Sequence, residues 1–323
     1  MADQGVFVLG TDEAGYGPNL GPLVIGACAW RVPDRSSADK LYELLADEVC
    51  SEPNEDSQRL SIADSKRLYQ PGSGLAQLER GVHVALLLLE RRCRAWRDVW
   101  SLLDAASLVQ IDELPWHDAF DEPIPFDADG SELGPLAERV SQCCEQSAVR
   151  LAALAATAVF PGKFNAAVAR CDNKAEVLSL TTLRLAGRIM SELPEGPAVV
   201  LCDKHGGRNR YAALLQDVFP DELVRVRQEG AELSVYQLRT AGRSVEFRFQ
   251  PKGERHLPTA LASMTAKYLR ELAMRPFNEF WLRQVPGLAP TAGYPSDSRR
   301  FWNEIRAAQL RLKIADELLW RQR

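Results

Sequence analysis

The segment Val6-Phe7-Val8-Leu9 is an uncharged apolar run that reads as a buried strand. It runs straight into Gly10-Thr11-Asp12-Glu13-Ala14-Gly15-Tyr16-Gly17-Pro18. Two adjacent carboxylates therefore leave a buried strand at a glycine-rich turn. Neighbouring carboxylates repel and are costly to hold together unless a proton or a cation joins them. Magnesium is bound in this manner, through one or two carboxylates plus waters and substrate phosphate oxygens. Successive strand residues face opposite sides, so Asp12 and Glu13 serve one site only if the strand ends or twists there.

Downstream, Leu23–Trp30 reads as a second buried strand, close enough to pair with the first as a hairpin. Ala38–Glu48 and Leu75–Trp96 read as helices, and Val149–Phe160 as either a strand or a buried helix. Ala175–Leu193 has helical periodicity, and Ala198–Cys202 is a short buried strand ending at Asp203. Leu223–Arg227, Leu233–Arg239 and Val245–Phe249 read as strands joined by turns at Glu229-Gly230 and Ala241-Gly242. Pro258–Met274 is expected to be a helix closed at Arg275-Pro276, because proline disfavours helix in the residue before it. The remainder is helical, apart from a loop at Pro286–Ser298. Strands alternating with helices, hairpins included, indicate a mixed α/β layer fold.

Residues 98–138 differ in character, with eleven Asp or Glu, no Lys or Arg, and several prolines. Like-charge blocks usually stay solvated, so this stretch is expected to be a surface insertion away from any phosphate backbone. The 323 residues carry a net charge of −5, so nucleic-acid binding would need a local basic face. Residues 204–255, with ten Lys or Arg against seven Asp or Glu, are the candidate. The seven cysteines contain no Cys-x-x-Cys pair and the four histidines show no metal-ligand spacing, so neither zinc nor a disulfide framework is expected. There is no long uncharged apolar stretch and no signal-peptide pattern. The expectation is a cytoplasmic protein without a membrane partner.

Further polar groups accompany the first carboxylate pair. Asp203 ends a buried strand, the usual place for a site in an α/β sheet. Ser263, Lys267, Arg270 and Glu271 share one face of a helix, where Lys267 and Glu271 also make an ordinary i,i+4 ion pair. Asp64-Ser65-Lys66 suits a helix cap.

Taken in order, Asp12-Glu13-Ala14-Gly15-Tyr16-Gly17-Pro18, Gly21-Pro22-Leu23-Val24, Asp64-Ser65-Lys66-Arg67-Leu68, Cys171-Asp172-Asn173-Lys174, Val199–Asp203, Ala262-Ser263-Met264-Thr265-Ala266-Lys267 and Gly293-Tyr294 resemble the type 2 ribonuclease H (ribonuclease HII) family. The resemblance implies a ribonuclease H-like mixed sheet flanked by helices. It would form a single catalytic domain with an acidic insertion at about 98–145, a β-rich insertion at about 210–245 and a helical region at about 277–323. It also implies an endoribonuclease that cuts the RNA strand of RNA/DNA hybrids with two Mg2+ or Mn2+ ions, leaving 5′-phosphate and 3′-hydroxyl ends. The implied metal-binding and catalytic carboxylates are Asp12, Glu13, Asp203 and Glu271, with Glu at the last position as in type 3 enzymes. The extra N-terminal substrate-binding domain of the type 3 enzymes is not expected. Hybrid contacts are expected from Gly15, Tyr16, Gly17, Ser65, Lys66, Lys204, Arg208, Lys267, Arg270 and Tyr294, in a monomer. Tyr16 departs from the family's Gly-Arg-Gly turn, which bears on recognition of a lone ribonucleotide in DNA. Other readings are a hybrid-binding relative with a degenerate site, and an actin-like sugar kinase or ATPase. The kinase reading uses Asp203-Lys204-His205-Gly206-Gly207 as a phosphate turn. His205 itself reads as a polar loop residue.

Overall fold

The computed structural model describes residues 5–53, 58–70, 72–118, 120–171, 173–240 and 242–322. Seven strands form one sheet: β1 (Val6–Ala14), β2 (Leu23–Val32), β3 (Arg150–Val159), β4 (Ala198–Asp203), β5 (Arg225–Gln228), β6 (Ser234–Thr240) and β7 (Arg243–Gln250). Their spatial order is β3-β2-β1-β4-β7-β6-β5. β4 lies parallel to β1 and to β7, and the other neighbours are antiparallel. The helices of eight residues or more are α1 (Ala76–Leu88), α2 (Trp96–Asp104), α3 (Gly130–Gln146), α4 (Pro161–Cys171), α5 (Lys174–Glu192), α6 (Leu257–Gln284) and α7 (Pro295–Leu312).

Strand alternation divides the core in two. Val6 and Val8 of β1 join the apolar cluster that contains residues of α1, α2, α3, α6 and α7. Phe7 and Leu9 join the opposite cluster, which contains residues of α4 and α5. The sheet is thus flanked by helices on both faces, and the expectation of a mixed sheet holds. α6 lies against the two central strands because they carry glycine beneath it. A Cβ on Gly10 would fall 2.1 Å from the Pro258 carbonyl carbon, and one on Gly26 2.2 Å from the Ala262 oxygen. This close approach brings the first turns of α6 onto the end of β1 that carries Asp12.

One open reading is settled and several expectations are corrected. Val149–Phe160 resolves as strand β3. Ala38–Glu48 is helical only over Leu41–Leu44, and the chain then turns so that Val49 and Cys50 pair with Leu60 and Ser61. Leu75–Trp96 is helical only over Ala76–Leu88, since Glu90 adopts φ 58° and the Glu90 and Arg91 amides close α1 on the Leu87 and Leu86 carbonyls, and the next helix begins at Trp96.

The acidic stretch 98–138 is not a solvated loop. Trp100, Leu103, Ile111, Trp116, Phe120, Ile124, Leu133 and Leu136 are all buried in the first cluster. The buried Glu79 carboxylate of α1 accepts the backbone N–H groups of Phe126, Asp127 and Ala128. Apolar residues at helical spacing bind this segment to the core while most of its acids face water.

α6 also passes through Arg275-Pro276 and ends at Gln284. Proline at 276 removes the N–H that would bond the Leu272 carbonyl. The buried Trp96 indole Nε1 donates to that oxygen at 2.8 Å instead. Asp172 and Ala241, each part of an expected motif or turn, lie outside the described residues. Among the described residues no helix is long and apolar enough to cross a membrane.

Candidate active site

β1 and β4 are in register as far as Thr11 and Cys202, so Asp12 and Asp203 follow one step beyond the last pair. Glu13 is next along β1. The three carboxylates feel one another. The Asp12 carboxyl is held well above the usual carboxylate range by burial, then by the Glu13 charge, with Asp203 adding to it and the Ser263 hydroxyl opposing. Glu13 is pushed up to about 7 by burial and by Asp203, against the pull of Lys66. Such a site favours a proton or a metal cation over bare charge.

Lys66 is placed by a short turn of helix, Ser65–Leu68, whose N-cap Asp64 accepts the Lys66 amide at 3.0 Å. The Ser263 hydroxyl of α6 donates to the Ser65 hydroxyl at 3.0 Å and ties this turn down. Burial works against the Lys66 charge, yet Asp64, Asp12, Glu254 and Glu13 hold its ammonium above the ordinary value.

Glu254 was not anticipated. It sits in the 3-10 turn Gly253–Arg255 that follows β7, the strand beside β4. The Gly253 amide reaches toward the Asp203 carboxylate at 3.4 Å. A signal was present in the sequence: Glu254 follows an apolar strand within a few residues, much as Asp203 ends one.

Glu271 lies elsewhere. It is eight residues beyond Ser263 on α6, about 12 Å along the axis at 1.5 Å per residue. There it accepts the Tyr69 hydroxyl at 3.0 Å and the Lys267 ammonium at 2.5 Å. Lys267 also covers the Tyr69 ring at 4.4 Å. Tyr69, Lys267 and Glu271 thus form a closed set, the i,i+4 ion pair that the helix spacing allowed, apart from the metal-binding carboxylates among which the family resemblance had placed Glu271.

Arg270 faces inward, donating to the carbonyls of Pro22, Leu20 and Ala292 at 2.5, 3.1 and 3.0 Å. Lys204 is engaged by Gly230 O at 2.5 Å and Asn209 Oδ1 at 2.7 Å, fastening the β5–β6 turn beside Asp203. Arg270 is a buried internal tie, which corrects its placement on a nucleic-acid face, whereas Lys204 is half-buried and held by Asn209 and Gly230. His205 is buried, its Nδ1 3.0 Å from the Ser179 hydroxyl, and burial with Arg208 nearby pushes it down to about 3. It is therefore a buried residue rather than a solvated one.

Beside the carboxylates, Gly15 adopts φ 85°, and Gly17 is exposed next to Tyr294, which is itself 47% exposed. The Tyr16 ring lies under the Lys174 ammonium at 4.8 Å, and its hydroxyl is near Gly206. Burial, then Glu13, raises the Tyr16 phenol, while Arg208 opposes. The buried Arg208 Nε has no partner among the described residues. Lys174 and Arg208 therefore supply positive charge around the turn in which Tyr16 stands.

No family model and no curated protein matches the chain. Among solved structures it is similar to ribonuclease H2 from Pyrococcus horikoshii, at 15% identity over 97% of this chain and 92% of that one, with a TM-score of 0.46. A ribonuclease HII from Archaeoglobus fulgidus, solved in complex with PCNA, gives 15% identity over 98% and 94%, with a TM-score of 0.43. Bst-RNase HIII in complex with Mn2+ gives 15% over 99% and 67%, with a TM-score of 0.41. At this identity and these TM-scores the likenesses establish no activity.

Proposed function

We propose that the chain is a divalent-metal-dependent endoribonuclease that hydrolyses the RNA strand of RNA/DNA hybrids, leaving 5′-phosphate and 3′-hydroxyl ends. The observation that carries this reading is the convergence of Asp12, Glu13 and Asp203, whose mutual repulsion and burial leave them short of a cation. The ordered motifs of the type 2 family supply the substrate class.

The donor set suits the metal. Hard carboxylate oxygens on two strand ends and one turn match Mg2+ or Mn2+ chemistry. Among the described residues no three His, Cys, Asp or Glu side chains stand ready as a cage. Magnesium does not require one, because it keeps waters and takes only one or two carboxylates with substrate oxygens. Asp12, Glu13, Asp203 and Glu254 would hold the ions. Divalent ions held there would supply Lewis-acid activation of water and charge stabilisation at a leaving oxygen.

The rest falls to the chain's own groups. Lys66 offsets the carboxylate charge before substrate arrives, and Ser263 with Ser65 keeps α6 and the Lys66 turn in place. The Gly15–Gly17 turn and Tyr294 border the carboxylates where a ribose 2′-hydroxyl has to be read, the contact that separates RNA from DNA. Lys174 and Arg208 are positioned for backbone phosphate.

The test is cleavage of labelled RNA/DNA hybrid, and of duplex DNA with one ribonucleotide, in Mg2+ and in Mn2+. Asp12→Asn and Asp203→Asn are each expected to abolish cutting. Full activity in either variant removes the proposal.

A further inference from the structure

The Gly15–Pro22 segment is held from behind by a side chain 306 residues downstream. Arg321 is 2% exposed, and its Nη2 donates to the Gly15 carbonyl at 2.5 Å and also to the Pro18 carbonyl. Its own amide donates to Asn19 O at 2.8 Å, and Trp320 bridges to Leu20. The guanidinium stacks on Phe164 at 4.9 Å. Arg270 grips the far end of the same segment through Leu20 and Pro22.

This is an expensive way to brace a turn. Burial, with Arg270 close by, pulls Arg321 down to about 9, and Tyr294 opposes that shift. Its Nε and Nη1 are buried without hydrogen-bond partners among the described residues. A well-packed apolar side chain stabilises such a place as well or better. A guanidinium does what an apolar group cannot, which is to fix the direction of a carbonyl.

That direction matters at Gly15. A trans peptide is planar, with its C=O and the following N–H pointing opposite ways. With the Gly15 carbonyl held inward by Arg321, the Tyr16 N–H is directed to the opposite side of the turn. Gly15 cannot be replaced to stiffen the turn by other means, since a Cβ there would fall 2.6 Å from Pro22 O and 2.7 Å from Arg270 Nη1.

We infer that Arg321 is a positioning residue for substrate discrimination: by holding the Gly15 carbonyl, it orients the Gly15–Tyr16 peptide so that the Tyr16 N–H faces a ribose hydroxyl of the hybrid. The inference rests on the ribonuclease reading for its substrate class and adds a residue that the family motifs do not contain. Arg321 does not touch the substrate itself.

The experiment compares the wild type with Arg321→Met and Arg321→Lys in three measurements. These are affinity for an RNA/DNA hybrid and for the same DNA duplex without divalent metal, kcat and KM on the hybrid with Mg2+, and amide exchange over residues 15–21. Arg321→Met is expected to lose about tenfold of the preference for hybrid over DNA, the scale of one discriminating hydrogen bond. Its KM should rise by a similar factor while kcat stays within about threefold, and exchange should quicken at 15–21 but not in β1 or α6. Arg321→Lys, which keeps one donor, should recover part of the preference. If Arg321→Met fails to fold, Arg321→Lys decides, and unchanged preference and exchange there overturn the inference. So does an equal loss of affinity for hybrid and DNA duplex. A wild type that prefers hybrid but never cuts it refutes the ribonuclease reading while leaving the role of Arg321 standing.

Discussion

Glu254 and Glu271 carry the same functional group and have opposite surroundings. Glu271 has a cation at 2.5 Å and a phenol at 3.0 Å, so its charge is already met. Glu254 faces a lysine that three other carboxylates share. Glu254→Gln is therefore expected to lower hybrid cleavage at least about a hundredfold, roughly 3 kcal/mol of barrier. Glu271→Gln is expected to change it less than about threefold and to act mainly on stability, by the ~1 kcal/mol typical of a lost partner. Single-turnover rates and thermal melts on both variants check this, and the reverse ranking would restore Glu271 to the site. Asp12, Glu13 and Asp203 were legible because a carboxylate closing an apolar strand is a local pattern. Glu254 has the same kind of position, blurred by the intervening Gln250-Pro251-Lys252-Gly253. Nothing local marks Arg321, whose partners are backbone carbonyls at the other end of the chain.

At the scale of elements, strand positions were readable from apolar runs, whereas helix ends depended on partners far away in sequence. Pro276 is the clearest case. Read locally it ends a helix, yet α6 continues because the Trp96 indole satisfies the carbonyl that proline leaves bare. Trp96→Phe should thus strand a buried Leu272 oxygen and cost about 1–3 kcal/mol beyond its packing loss. Pro276→Ala restores the native helical donor, so in the Trp96→Phe background it should recover part of that loss. In the wild-type background it should gain little. Urea unfolding of the four proteins gives the coupling as a double-mutant cycle, and strict additivity would show that the indole bond does not support the helix.

Across the whole molecule, a buried polar chain helps join the acidic segment to the sheet-covering layer. His83 of α1 has Cys93 at 3.6 Å from its Nδ1 and the Tyr268 hydroxyl of α6 at 3.1 Å from its Nε2. Tyr268 lies 3.5 Å from Glu79, the carboxylate that receives the backbone of residues 126–128. Composition alone could not place this segment, since its charge count said solvent while its tryptophans and leucines at helical spacing said core. The linkage has a signature in pH. Burial pushes His83 down to about 4 from an ordinary value near 6.5. The folded state therefore keeps it neutral where the unfolded chain takes up a proton. Its contribution is intact above pH 6.5 and is lost as pH falls toward 4, by roughly 3 kcal/mol in all. Other groups titrate over the same range, so the measurement has to be a difference. The stability gap between wild type and His83→Gln, taken from urea melts, should be widest at pH 7.5 and shrink by about that amount at pH 4. A gap independent of pH would mean that His83 is free to take up its proton in the folded protein, and that the chain linking α1, α6 and the acidic segment is open to water.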